Sequence, residues 1–281
     1  MIGDINKIYK AELTQEQFKK LSDFIYNNYG LKMPITKKVL VESRLHKRLK
    51  VLGIDNFTDY LNFVFSTKNH EEIVNMIDVI STNKTDFFRE NVHFEFMKTH
   101  ILPSFNVTTT PVINIWSAGC SSGEEPYTIA MTIAQYIETQ RGLDFRIMAT
   151  DISTIVLEVA KQGIYHESKV KEIPSGLVKK YFLKSKDNND QLVRVVPELR
   201  SKVTFQRLNF MDASYPVSTM FDIIFCRNVL IYFDKQTQEK VINNLCLKLK
   251  KNGYLFLGHS ESIIGINVPV KQIQPTIFQR I

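Results

Sequence analysis

The sequence predicts an α/β protein: an N-terminal all-α domain, then a doubly wound, Rossmann-like domain carrying a small inserted β-subdomain. Three observations lead there. Residues 1–80 show helical apolar spacing and no strand signal. After Pro111, short apolar runs alternate with helical patterns, which implies a parallel sheet covered on both faces. Residues 164–202 break that rhythm. The 281 residues suit two domains at roughly 100–200 residues each. With 44% hydrophobic and 23% charged residues, a disordered or collagen-like chain is excluded.

In the helical domain, residues 1–80, Thr14 and Gln17 form a capping-box pattern. Phe18, Leu21 and Ile25 line one face, and Gly30 is the stop. A second helix is expected from about Thr36 to Leu52, with Val41, Leu45, Leu49 and Leu52 as its apolar stripe. A third runs from about Phe57 to Phe65, and a fourth carries Ile73, Ile77 and Ile80. Residues 81–110 read as a linker and interdomain helix.

The sheet domain spans residues 111–281. Its expected strands are Val112–Trp116, Phe145–Ala149, Val203–Leu208, Phe221–Cys226 and Tyr254–Leu257. Helices are expected over about Pro126–Gln140 and residues 153–162. Another follows Asp234, carries Val241, Leu245 and Leu249, and ends near Gly253. The insertion, at about 164–202, holds Pro174, Gly176, the polar run KSKDNND and the alternating stretch Leu192–Val196. A strand pair around a polar turn is its expected content.

The segment Trp116-Ser-Ala-Gly-Cys-Ser-Ser-Gly-Glu-Glu-Pro126 leads from the first strand into a helix. Gly119 and Gly123 let backbone approach a ligand closely, although a tight strand-to-helix turn would use the same residues. Glu124 and Glu125 stand at the helix start, where they repel a pyrophosphate and suit a sulfonium or ammonium cation. Asp151 ends the second strand, placed for ribose hydroxyls or for capping the helix that follows. Loop and acid together indicate a nucleoside-bearing cofactor, either S-adenosylmethionine or a nicotinamide dinucleotide. Arg227, Asn228 and Tyr232 follow the Phe221–Cys226 strand and fall near the same sheet edge. An Asn-Pro-Pro-Tyr run, which would suggest amine methylation, is absent there.

Five segments in order resemble the CheR-type chemotaxis-receptor glutamate methyltransferases. They are Asn83–Glu90, the Trp116–Tyr127 loop, Ala149–Ser153, Phe221–Asp234 and Gly253–Ser262 (GYLFLGHSES). The resemblance implies methyl transfer from S-adenosylmethionine to receptor glutamates, with S-adenosylhomocysteine as product. It implies that Asn83, Thr85, Arg89, Gly119, Glu124, Glu125, Asp151, Asn209, Phe210, Arg227 and Asn228 surround the cofactor. It gives Arg89 and Tyr232 a role in the reaction. The implied partners are the cytoplasmic domains of chemotaxis receptors, with neither nucleic acid nor membrane insertion. Methylation of RNA or a small molecule, and a non-enzymatic cofactor sensor, are the rival readings.

Glutamate, with a pKa of about 4.3, is ionised at neutral pH, so the implied reaction needs no general base. Lysine plus arginine number 36 against 29 acidic residues, a surplus that favours an anionic partner. Lys37, Arg44, Lys47 and Arg48 fall on one arc of the second helix, either a solvated face or, with the family in view, a substrate-binding surface. Cys120, Cys226 and Cys246 form no ligand cluster, and their spacing suits a reducing cytosol. His259 has no second histidine or cysteine at ligand spacing, so no metal is expected. No apolar stretch approaches the length of about 20 residues that a membrane span needs. A cytoplasmic protein recruited to membrane receptor arrays is the expectation.

Overall fold

The computed structural model describes residues 11–66, 69–105, 108, 111–139, 142–187 and 190–281. Residues 1–10 of the helical domain, part of the 81–110 linker, the expected helix end at Gln140 and the tip of KSKDNND lie outside the described residues.

Helix α1 (Gln15–Tyr29) opens with the capping box: the Gln17 N–H donates to Thr14 Oγ1 at 3.2 Å, and the Thr14 N–H to Gln17 Oε1 at 2.9 Å. It stops at Gly30, where φ is +69° and an added Cβ would lie 2.7 Å from Met211 Sδ of the sheet domain. This glycine therefore ends the helix and admits the neighbouring domain. A 3₁₀ turn, Ile35–Lys37, precedes α2 (Lys38–Leu52), so the α-helix starts later than its sequence pattern suggests. Helices α3 (Phe57–Ser66) and α4 (His70–Ile80) complete a core of Leu21, Ile25, Leu45, Leu49, Tyr60 and Ile77.

The expected basic arc on α2 is divided. Arg48 makes a two-pronged bond to Glu72, Nε to Oε1 at 3.0 Å and Nη2 to Oε2 at 2.6 Å. Glu72 is 3% exposed and also accepts from the Tyr60 hydroxyl at 3.0 Å. Arg44 bonds the carbonyls of Ile80 and Ser81 at the end of α4. The cause lies in the spacing. Arg48 follows Val41 by nearly two turns, so it borders the buried stripe. Lys47, on the outer side, is exposed.

A linker leads to α5 (Val92–Phe96), which continues as a π turn, Met97–Ile101, and a 3₁₀ turn, Leu102–Ser104. The main sheet then holds β1 (Val112–Ala118), β2 (Asp144–Asp151), β6 (Val203–Arg207), β7 (Phe221–Cys226), β8 (Leu249–Leu257), β9 (Val270–Gln274) and β10 (Ile277–Arg280). Their order is β6-β2-β1-β7-β8-β10-β9. β6, β2, β1, β7 and β8 are parallel, whereas β10 runs antiparallel to β8 and β9. The all-parallel expectation is thus corrected by a C-terminal hairpin. β9 is mostly exposed and polar, so it gives no apolar signal.

Both sheet faces are buried. Ile113 and Ile115 of β1 pack with Ile129 and Ile133 of α6 (Glu124–Ile137). Trp116 and Ala118 pack with Val241 and Leu245 of α10 (Lys235–Lys248). Helix α7 (Thr154–Gln162) follows β2. Helix α10 runs directly into β8 at Leu249, not to Gly253 as expected. Gly253 instead serves a strand irregularity: a Cβ there would meet the carbonyls of Lys250 and Asp222 at 2.8 and 2.9 Å. The insertion is a three-stranded antiparallel sheet rather than a strand pair. It comprises β3 (Ile164–His166), β4 (Phe182–Lys184) and β5 (Leu192–Val195), in the order β3-β5-β4, with helices α8 (Ser175–Tyr181) and α9 (Pro197–Arg200). Strands of three residues are too short to show a period.

Hydrogen bonds at several points join the domains. Asp78 of α4 accepts from the Thr154 N–H and hydroxyl at 2.8 and 2.6 Å. Tyr26 donates to Asp234 at 2.5 Å, the Lys32 N–H to the Tyr232 carbonyl at 3.0 Å, and Asn209 to the Asn28 carbonyl at 2.8 Å.

Arg48→Ala leaves Glu72 buried without its cation and should destabilise the protein by about 3 kcal/mol. Lys47→Ala should change stability by less than about 0.5 kcal/mol. Urea unfolding of both variants checks this, and equal small effects would return Arg48 to the solvated surface.

Candidate active site

A cavity of about 320 Å³ lies between the helical domain and the carboxyl edge of β1, β2 and β7. Sheet order explains the place. From β1 the chain steps to β2 on one side and later returns to β7 on the other, leaving a crevice at the switch.

The glycine loop forms one wall. The N–H groups of Gly119 and Cys120 donate to the Thr150 carbonyl at 2.7 and 2.9 Å, which ties the end of β1 to that of β2. Gly119 has φ +90°, and a Cβ there would sit 2.3 Å from Val229 Cγ2. Asp151 faces the cavity, is 9% exposed, and braces the loop. It accepts from the Ser121 N–H at 2.8 Å and the Ser153 N–H at 3.0 Å. The cap of α7 is Ser153, not Asp151. Burial raises the Asp151 pKa, and the backbone donors act against that rise.

The two glutamates at the start of α6 separate. Glu125 lines the cavity, accepts from Ser117 Oγ at 2.7 Å and lies 3.4 Å from Arg227. Glu124 does not line it. Its carboxylate turns to Ser122 Oγ at 2.6 Å and Lys169 Nζ at 3.6 Å. One helical step of about 100° sends them to different sides. Burial raises both pKa values.

Arg227, 5% exposed, is the centre of the far wall. It bonds Glu90 Oε2 at 3.2 and 3.3 Å, bonds the Arg89 carbonyl, and lies 5.3 Å over the Phe94 ring. Glu90 also accepts from Asn228 Nδ2 at 3.3 Å and the His259 N–H at 3.2 Å. Burial pushes the Glu90 pKa up, but Arg227 and these donors hold it below the ordinary value. A second buried carboxylate, Glu261, accepts from the N–H groups of Asn228, Val229 and Leu230 at 2.9, 2.8 and 2.7 Å, and from that of Gly258. Sequence reasoning assigned no role to Glu90 or Glu261. Both lie inside the quoted motifs, yet only the fold shows what they hold.

Arg89 and Tyr232 line the cavity, with Asn83, Thr85, Asn209, Phe210 and Asn228. Arg89 donates to the Lys84 carbonyl at 3.1 Å. Burial raises the Tyr232 pKa, and Arg89 and Arg44 oppose it. Phe88 and Glu90, on either side of Arg89, have φ of +54° and +56°; Ser121 and Asn228 have +48° and +59°. Such left-handed non-glycine backbone gathers where surroundings enforce it. Of the α2 arc, Lys37 reaches the cavity, its Nζ 5.6 Å from the Tyr232 ring centre. Arg44, Lys47 and Arg48 do not line it.

His259 does have a histidine neighbour. The His93 ring lies 5.2 Å away, and Glu90 completes the group. Arg227 already places positive charge on Glu90, which disfavours a cation there. Cys120 and Cys226 are buried, and burial raises both thiols, so neither is a ready thiolate.

His93 Nε2 pairs with Thr276 Oγ1 at 2.9 Å. Burial, followed by the nearby Arg227, lowers its pKa to about 4. The unfolded chain therefore takes up this proton first, and stability is lost as pH falls from about 6.5 towards 4. Relative to His93→Gln, the wild type should lose about 2 kcal/mol between pH 7 and pH 5. The raised carboxylates act in the opposite sense and cancel in this comparison. Parallel urea-unfolding curves would show that His93 does not titrate this way.

The description "CheR methyltransferase, SAM binding domain" matches residues 83–278, and "CheR methyltransferase, all-alpha domain" matches residues 16–81. A chemotaxis protein methyltransferase of Borreliella burgdorferi is 43% identical over 273 residues, 95% of each chain. One from Escherichia coli is 38% identical over 253 residues, 90% of this chain and 86% of the relative. Chemotaxis protein methyltransferase 2 of Pseudomonas aeruginosa is 34% identical over 267 residues, 94% of this chain and 93% of the relative.

Proposed function

The chain belongs to the CheR methyltransferase family, and from that premise we propose that it methylates glutamate side chains of chemotaxis receptors. It is an S-adenosylmethionine-dependent methyltransferase of chemotaxis. The product ester would tune sensory adaptation.

The observation that carries the glutamate reading is the polarity of the cavity. Asp151 and Glu125 supply acidic groups from the sheet edge, with Arg227 beside Glu125, whereas Arg89, Lys37, Lys32 and Lys84 outnumber Asp86 on the linker and helical domain. A sulfonium cation suits the first region and a carboxylate the second. Asp151 would hold the ribose hydroxyls with its remaining lone pairs. Asn83, Thr85, Asn209, Phe210 and Asn228 would enclose the nucleoside and methionine parts. Arg227 would act behind them, through Glu90 and Glu125.

In the transfer, a carboxylate oxygen forms the new bond to the methyl carbon, and the carbon–sulfur bond pair returns to sulfur. No proton moves, so no base is required. Charge shrinks along this path, so a cation on the carboxylate stabilises reactants more than the transition state. Arg89 would therefore serve by aligning the oxygen with the methyl group. Tyr232, half-buried between Arg89 and Lys37, would wall off water and hold the acceptor in line. On the 3₁₀ turn before α2, Lys37 would draw in an acidic helix. Lys47 adds exposed charge, while Arg44 and Arg48 act indirectly by bracing the domain. Among the described residues no helix is long and apolar enough to cross a membrane. Recruitment to receptor arrays belongs to the proposal.

Labelled methyl transfer to receptor cytoplasmic fragments should give a base-labile product, the mark of an ester. Arg89→Ala should lower kcat about 10²-fold through misalignment. Tyr232→Phe should give a smaller loss, with folding stability kept in both. Asp151→Ala should weaken S-adenosylmethionine binding about tenfold or more, read by calorimetry. Base-stable label would point to a different acceptor, and wild-type rates in both Arg89 and Tyr232 variants would remove them from the reaction.

A further inference from the structure

The inserted sheet touches the cofactor side of the cavity through side chains that the reaction does not require. Lys169 stands on the 3₁₀ turn after β3 and is 43% exposed. Its Nζ reaches back to the Thr85 carbonyl at 2.9 Å, to Asp86 Oδ1 at 3.2 Å and to Glu124 Oε1 at 3.6 Å. Thr85 and Asp86 line the cavity on the linker that carries Arg89. Glu124, 1% exposed, begins the helix after the glycine loop. Among the described residues, Lys169 is the basic side chain within ion-pair distance of Glu124.

Its neighbours press on the same two segments. The Tyr165 hydroxyl of β3 donates to the Ser122 carbonyl at 2.7 Å. Tyr165 and Phe182 hold Phe87 of the linker edge-on, at ring-centre distances of 5.0 and 5.5 Å. A Cβ on Gly123 would lie 2.9 Å from the Tyr165 hydroxyl, so the glycine loop and the insertion are in direct contact.

We infer that Lys169 is a positioning residue for cofactor binding, through which the inserted sheet fastens the linker to the glycine loop. Its ammonium compensates the buried Glu124 carboxylate and, by the same three-donor group, holds the Thr85 carbonyl and the Asp86 carboxylate over the cavity. The aromatic contacts set how closely the two segments approach, and Lys169 sets their charge balance and register. The inference rests on the S-adenosylmethionine site and not on the identity of the methyl acceptor.

The test uses the whole chain and S-adenosylhomocysteine as the probe, in calorimetry and amide hydrogen exchange. Lys169→Met should weaken binding about tenfold, a charge-assisted bond discounted for its exposure. Its melting temperature should fall as Glu124 loses its cation, so binding and exchange are read well below that midpoint. The amides of Phe88 and Arg89, now bonded to Thr128 Oγ1 and the Asp86 carbonyl, should exchange faster in the variant. Lys169→Arg, which keeps charge and donors, should bind within about threefold of wild type. Unchanged affinity and exchange in Lys169→Met would overturn the inference, and so would equal losses in both variants. Failure of wild type itself to bind the probe would instead strike at the cofactor site. Each of these outcomes leaves the choice of methyl acceptor to the labelling experiment.

Discussion

The buried guanidinium of Arg227 sits at the end of β7 with Glu90 on one side and Glu125 on the other. A charge taken out of water costs several kcal/mol unless it is paired with good geometry. Glu90 comes from the linker and Glu125 from the helix behind the glycine loop, so the pairing draws together segments far apart in the chain. It also dictates the backbone of the linker. With Glu90 drawn in to Arg227, and the Arg89 carbonyl bonded to the same guanidinium, the Arg89 side chain turns to line the cavity, bonded to the Lys84 carbonyl. The left-handed backbone at Phe88 and Glu90 accompanies that arrangement.

Glu261 organises the other side of the cavity by the same principle. A buried carboxylate must find donors, and it finds them in the row of N–H groups that follows β7. The resulting turn brings Val229 against Gly119, which accounts for the lack of a Cβ at that position. It also presents Tyr232 beside Lys37 of the helical domain. The helical domain supplies one wall of the cavity and is joined to the sheet domain by hydrogen bonds of Asp78, Tyr26 and Lys32. Separation of the domains would therefore open the cavity and expose Asp78 and the start of α7 together.

Much of this was legible in residue order where a local period or cap exists. Thr14 with Gln17, the Val41–Leu49 stripe and the fully buried run Phe221–Cys226 each follow from short-range geometry. The glycine loop and Asp151 were legible because a strand tip, a turn and a helix start are adjacent in sequence. The C-terminal hairpin was not, because β9 buries too little to carry a pattern. Nor was the turning inward of Arg44 and Arg48, whose partners lie on another helix.

The sequence by itself determined the helical and α/β halves, the sheet edge that carries the cavity, and the family. These depend on local periodicity and on ordered motifs. Tertiary structure alone decided which glutamate of the adjacent pair faces the cavity, that Glu90 and Glu261 anchor its walls, and that His93 meets His259. It also divided the basic helix into supporting arginines and an outlying lysine at the cavity. For the charged groups the physical reason is the same. A buried charge is assigned by whatever counter-charge or donor the fold delivers within about 3–4 Å, and no spacing along one segment specifies that partner.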